Sequence, residues 1–189
     1  MLSNAFRAVV DLVTDDKTKN VVSVVAGMGS LLVGNKLGGL SLFAKGAIGL
    51  ERHWRDAHPE FHGTLVDRWN KAVDFYEATH VNKTNRTLHV VGIPMILGGT
   101  AGLLLFIPFG PRWWVSAAAF SGGWALNIVG HGVYEKNAPA FADDPLSFIA
   151  GPVWDFQRLF GKKRRAPQSV STPWGEMVIN VIPTEPAQA

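Results

Sequence analysis

Six histidines and no cysteine set the chemical range of this chain. Without thiols there are no disulfides, thiolate metal sites, thiol nucleophiles or iron–sulfur clusters. Imidazole is then the main candidate ligand, and it suits iron, zinc or copper. Three histidines fall into tight local patterns. His80 and His89 bracket the segment HVNKTNRTLH, which runs on to Gly92 and Pro94. His131 opens the segment HGVYEKNAPA, preceded by Gly130 and carrying Glu135, Lys136, Pro139 and Ala140. Taken singly, His89 or His131 reads as an interfacial residue bonded to headgroups or backbone. Taken together, with His80, Asn85 and Glu135 nearby, they favour a shared metal site. His53, His58 and His62 lie in a charged stretch and read as solvated surface.

The elements that must position these residues are apolar. The 189 residues are 47% hydrophobic and 17% charged, against about 25% charged in soluble domains. No Asp, Glu, Lys or Arg occurs from Thr87 to Pro111 or from Trp113 to Tyr134. Apolar runs of roughly 18 residues or more are long enough to cross a bilayer as helices. Two spans are expected, at about residues 88–109 and 113–134, turning at Phe109-Gly110-Pro111-Arg112, with Trp113 and Trp114 as an aromatic belt. Gly110 lies 21 residues after His89 and 21 before His131, so an antiparallel hairpin returns both to one depth. Asn85 and His89 are spaced i, i+4, as are His131 and Glu135, and each pair shares a helical face. His80 is nine positions before His89. A straight helix would point them apart, so the chain must bend around Asn82, Thr84 and Asn85.

The whole chain reads as an all-α integral membrane bundle, with interfacial helices beside the transmembrane hairpin. Residues 1–65 form a glycine-rich, membrane-associated module. It begins with an amphipathic helix over residues 1–20, followed by two short apolar pieces split at Asn35 and Lys36. Gly34 and Gly38 supply a small-xxx-small pattern for close helix approach and leave self-association open. Residues 66–160 form the main domain, in which Thr64–Thr79 reads as an interfacial helix and the patch Phe148–Phe160 as a surface segment too short to span. Residues 161–189 read as a basic, disordered tail. The net charge of +3 and the Lys162–Arg165 cluster fit a topology determinant better than nucleic-acid binding. Positive charge places the histidine side and the tail in the cytoplasm, across a bacterial inner membrane. The N-terminus lacks the pattern of a signal peptide.

The two motifs, HxxxxNxxxHxxGxP and GHGxxExxxPA, resemble those of the Mpo-one-like family. They are carried by His80, Asn85, His89, Gly92, Pro94, Gly130, His131, Gly132, Glu135, Pro139 and Ala140. The resemblance covers about residues 66–160. It implies a membrane-embedded Fe(II)-dependent dioxygenase that shortens 2-hydroxy fatty acids by one carbon in fatty acid alpha-oxidation, with O₂ as co-substrate. It also implies metal ligation by His80, His89 and His131. The fatty-acyl substrate and the lipid bilayer are the expected partners. Within that reading Glu135 and Asn85 are the candidate catalytic residues, and Arg86 and Lys136, with Lys83, are placed to pair with the substrate carboxylate. Asn85 fits better as a group orienting His89 than as a ligand. Fungal members carry a further histidine near the first motif, where this chain has Glu77 and Val81. The HxxHH-type clusters of membrane di-iron hydroxylases are absent. Two other readings remain: a non-catalytic membrane scaffold with structural histidines, and a lipid enzyme of another reaction type, such as hydrolysis on zinc.

Overall fold

The computed structural model describes residues 15–159, 170–172 and 175–177. Helix α1 spans Asp16–Leu32, α2 Lys36–Ala57, α3 Leu65–Ala78, α4 Lys83–Leu105 and α5 Pro111–Val129. A π-helical turn over Gly130–Glu135 continues α5, and a 3-10 turn at Ala140–Ala142 leads to α6 at Ser147–Leu159. Strands β1 (Val170–Thr172) and β2 (Gly175–Met177) pair antiparallel within the stretch expected to be disordered. The rest of that stretch and residues 1–14, the start of the expected amphipathic helix, lie outside the described residues.

The chain divides into two compact units, and α4 and α5 each contribute to both. The first unit combines the residues up to His62 with Gly92–Ala125. Asp15 starts α1 by accepting a hydrogen bond from the Thr18 amide at 2.8 Å. Gly34, at φ +78°, makes the turn to α2 in a conformation that a side chain disfavours. Asn35 then caps α2 through the Gly38 amide at 3.0 Å. The apolar pieces are therefore paired helices, but α2 is longer than expected, continuing through Lys45 and the polar residues to Ala57.

The close approach of α1 and α2 is made by other glycines than those anticipated. Gly27 lies against the backbone of Gly39 and Phe43, and Gly46 against Asn20 and Val24. Gly34 sits in the turn and Gly38 packs on its own cap, so neither lies on the contact face. The pair shares a core with the apolar hairpin, in which Leu31 packs among Ile96, Leu103, Trp113, Ala117 and Phe120. Lys36 Nζ donates to the carbonyls of Leu104 and Phe106, each at 2.7 Å, and so caps the end of α4. Pro111 begins α5, a position where its missing N–H costs nothing. Trp113 is fully buried and only Trp114 is exposed, so the expected belt reduces to one tryptophan. Among the described residues one helix, α4, is long and apolar enough to cross a membrane, where the sequence suggested two. The regular α5 stops at Val129, after 19 residues.

The second unit combines Gly63–Val91 with Leu126 onward. Thr64 and Asp67 form a reciprocal capping box that fixes the start of α3. Hydrogen bonds from Thr64 hold the Asp67 carboxyl below its ordinary range. One face of α3 (Ala72, Val73, Phe75 and Tyr76) packs on Ala140, Ala150 and Trp154. The patch expected on the surface is thus α6, with Ala150 and Trp154 in the core while Ile149 and Phe156 face outward. Arg68 makes a bidentate ion pair with Asp144, at 2.9 and 2.8 Å, with both side chains almost completely buried.

Candidate metal centre

The centre lies within the second unit, where α3 ends, α4 begins and α5 gives way to the π turn. His80 follows the last residues of α3. The chain then bends, as the nine-residue separation required, and Asn82 restarts it by accepting from the amides of Thr84 and Asn85 at 2.9 and 3.2 Å. His89 follows on the second turn of α4, and His131 is the second residue of the π turn. Such turns recur at functional sites. Gly130 permits the close approach of the π turn to α4, since a Cβ there would strike the Asn85 carboxamide.

His80, His89 and His131 are buried at 2%, 3% and 5% exposure. Their rings form a three-bladed propeller, with centroids 4.7, 4.8 and 4.9 Å apart and planes crossing at 82°, 83° and 85°. Their candidate ligand atoms all lie within 4.8 Å of one another.

The outer nitrogen of each ring is already engaged. Nδ1 of His80 pairs with the Tyr76 carbonyl at 2.7 Å, and Nδ1 of His89 with the Asn85 carbonyl at 2.9 Å. A carbonyl only accepts, so each Nδ1 carries the proton and each neutral ring has its lone pair at Nε2. Nδ1 of His131 meets Oδ1 of Asn137 at 2.7 Å, and the Asn137 Nδ2 donates to the Thr79 carbonyl at 2.9 Å, which fixes the orientation of that amide. All three rings are therefore poised with Nε2 as the acceptor. Nε2 of His80 is fully buried with no hydrogen-bond partner. Burial, with His89 and His131 beside it, holds its pKa well below the usual imidazole range and so keeps it in the ligand form. Three such rings around a buried nitrogen that has no donor fit a cation, and partners on Nδ1 are the usual companions of metal-bound histidine.

The other candidate residues occupy different places. Glu135 stands in the same π turn as His131 but is not among the groups that converge on the centre. Its carboxylate instead accepts from the Val81 amide at 2.9 Å, the Asn82 amide at 3.1 Å and Asn85 Nδ2 at 2.9 Å. Asn85 is fully buried between Glu135 and Gly130. The Arg86 guanidinium lies over the Trp154 ring at 4.8 Å. Lys136 ends the π turn in a left-handed conformation and is exposed. His53 and His62 are exposed as expected, whereas His58 is half-buried and stacks on Trp54 at 4.2 Å.

Three supporting residues escaped the sequence reading: Tyr76, Asp155 and Asn137. Tyr76 stacks on His80 with centroids 3.8 Å apart, and its hydroxyl donates to Asp155 at 2.8 Å. Burial and the neighbouring Asp155 carboxylate push the phenol pKa far up. Gly151 leaves room for this ring on α6. Tyr76 precedes His80 by one helical turn, a visible signal only once α3 is known to reach the site. Asn137 stands inside the second motif, next to Lys136.

These features define a helical protein with a buried tris-imidazole centre able to hold a metal ion. Residues 66–163 match the family model described as 2-hydroxy-palmitic acid dioxygenase Mpo1-like. The match takes in more than half of the chain and all three histidines, and the chain belongs to this family. Comparison with the curated proteins and with the solved structures gives no match.

Proposed function

We propose that this protein is an Fe(II)-dependent, membrane-bound dioxygenase that shortens 2-hydroxy fatty acids by one carbon, the central reaction of fatty acid alpha-oxidation. The observation that carries the reading is the convergence of three neutral imidazoles, with Nδ1 engaged outside and Nε2 turned inward, inside the region that matches the family. His80, His89 and His131 would hold the metal. When bound, the metal supplies open positions at which dioxygen and a chelating hydroxy acid meet. Overall the C1–C2 bond breaks, C2 becomes a carboxyl carbon, C1 leaves as carbon dioxide, and dioxygen accepts the four electrons and ends in the products and water.

The chain contributes position and charge. Three neutral imidazoles leave a divalent ion's charge uncompensated, because the Glu135 carboxylate is committed to the backbone of Val81 and Asn82. An anionic substrate supplies that compensation. Arg86, steadied by Trp154, and Lys136 are the proposed cations for its carboxylate. Glu135 and Asn85 set the spacing between the start of α4 and the π turn rather than reacting with the substrate. The apolar α4 is proposed to lie in the bilayer, with the acyl chain in lipid and the histidines at the cytoplasmic boundary.

Elemental analysis of anaerobically purified protein tests this reading. About one iron per chain is expected, falling to background in His89→Ala and His131→Ala while helicity is retained. Zinc in place of iron would point to hydrolytic chemistry, and a metal-free protein with unchanged variants would leave a scaffold.

A further inference from the structure

Asn127 is a buried polar residue to which the metal centre gives no role. It lies near the end of α5 at 8% exposure, and its Oδ1 is fully buried without a hydrogen-bond partner. Buried acceptors of this kind are destabilising unless something donates to them. Polar side chains in so apolar a helix are themselves uncommon outside functional sites.

Helical geometry says which way Asn127 faces. It precedes Gly130, the residue at which the α-helix gives way to the π turn, by three residues, a spacing that shares one helical face. Gly130 is the residue lying against the Asn85 carboxamide and the His89 ring. His131 meets His89 edge-on with centroids 4.9 Å apart. Asn127 therefore sits on the stripe of α5 turned towards His89, one turn from the imidazoles.

We propose that Asn127 is a specificity-determining residue whose Oδ1 accepts a hydrogen bond from the 2-hydroxyl of the substrate. The proposal rests on the functional reading above. At neutral pH the carboxylate of a fatty acid only accepts, and its alkyl chain does neither. The 2-hydroxyl is the one donor in the substrate head. An unsubstituted fatty acid would leave Oδ1 buried and unpaired, and sites built around a substrate hydroxyl reject analogues lacking it strongly.

The test uses full-length, zinc-substituted protein in detergent and compares equilibrium binding of 2-hydroxypalmitate and palmitate. Wild type should favour the hydroxy acid by about 10-fold or more. Asn127→Leu, similar in shape, should lose most of that preference by binding the hydroxy acid more weakly, keeping only the part that chelation of the zinc supplies. It should keep its zinc and melt no lower than wild type, since an unpaired polar group has been removed. Asn127→Asp keeps an acceptor and should keep the preference. Asn127→Leu that retains both zinc and the preference overturns the proposal. So does Asn127→Leu that fails to fold, because the amide would then be structural, or Asn127→Asp that loses the preference as fully as Leu. The functional reading fails separately: wild type that binds neither acid and consumes neither removes both claims. Wild type that consumes 2-hydroxypalmitate beside an unchanged preference in Asn127→Leu removes only this one.

Discussion

The chemistry of this protein is set by what each ring nitrogen touches. Two backbone carbonyls and one oriented carboxamide hold the Nδ1 protons of His80, His89 and His131, and those bonds do the aiming. Removing such a partner commonly lowers metal affinity about 10–100-fold. Asn137→Ala should show that loss in competition against a chelator, with the three histidines intact; unchanged affinity would mean that Asn137 does not orient His131. Glu135 offers a sharper contrast. Its carboxylate accepts from three donors that a Gln side chain cannot all satisfy. Glu135→Gln should therefore lower stability by roughly 1–3 kcal/mol yet still bind one metal when metal is saturating. Failure to bind at saturation would make Glu135 a ligand.

At the scale of elements, much was legible because it is local chemistry. Thr64 and Asp67 announce the start of α3, and α3 ends at Ala78, one residue short of the expected Thr79. The meeting of His89 and His131 followed from equal distances to Gly110, and the bend after His80 from a spacing that no straight helix can serve. What was not legible depends on tertiary partners. The Glu135 carboxylate is taken up by the amides of Val81 and Asn82, and nothing in HGVYE marks the π turn that carries it. Likewise α6 looked like a surface patch because its buried stripe is short and meets α3 only in three dimensions. The Arg68–Asp144 pair ties α3 to the loop before α6. Breaking a buried pair leaves one charge stranded, at a cost of about 3–5 kcal/mol. Asp144→Asn should lower the unfolding free energy by about that amount in denaturant melts, and a loss below 1 kcal/mol would contradict the account.

At the scale of the molecule, the composition break near residue 65 coincides with the loop after α2 and with the boundary at His62, but it does not isolate the N-terminal residues. They share a core with Gly92–Ala125, through Leu31 and the Lys36 cap on α4, which composition alone could not show. The glycines on the α1–α2 contact face make a further prediction. Gly46→Leu would drive a side chain into the backbone of Asn20, and it should destabilise the protein by roughly 1–3 kcal/mol while leaving the metal content of the folded fraction unchanged. Loss of metal in that fraction would tie the helix pair to the histidine centre. The central claim is the reaction itself, and one measurement meets it directly: mass spectrometry of 2-hydroxypalmitate incubated with the iron-loaded protein and dioxygen. The account predicts the fatty acid one carbon shorter, formed by wild type and absent with His89→Ala. Recovery of the hydroxy acid unchanged from iron-loaded wild type would contradict it.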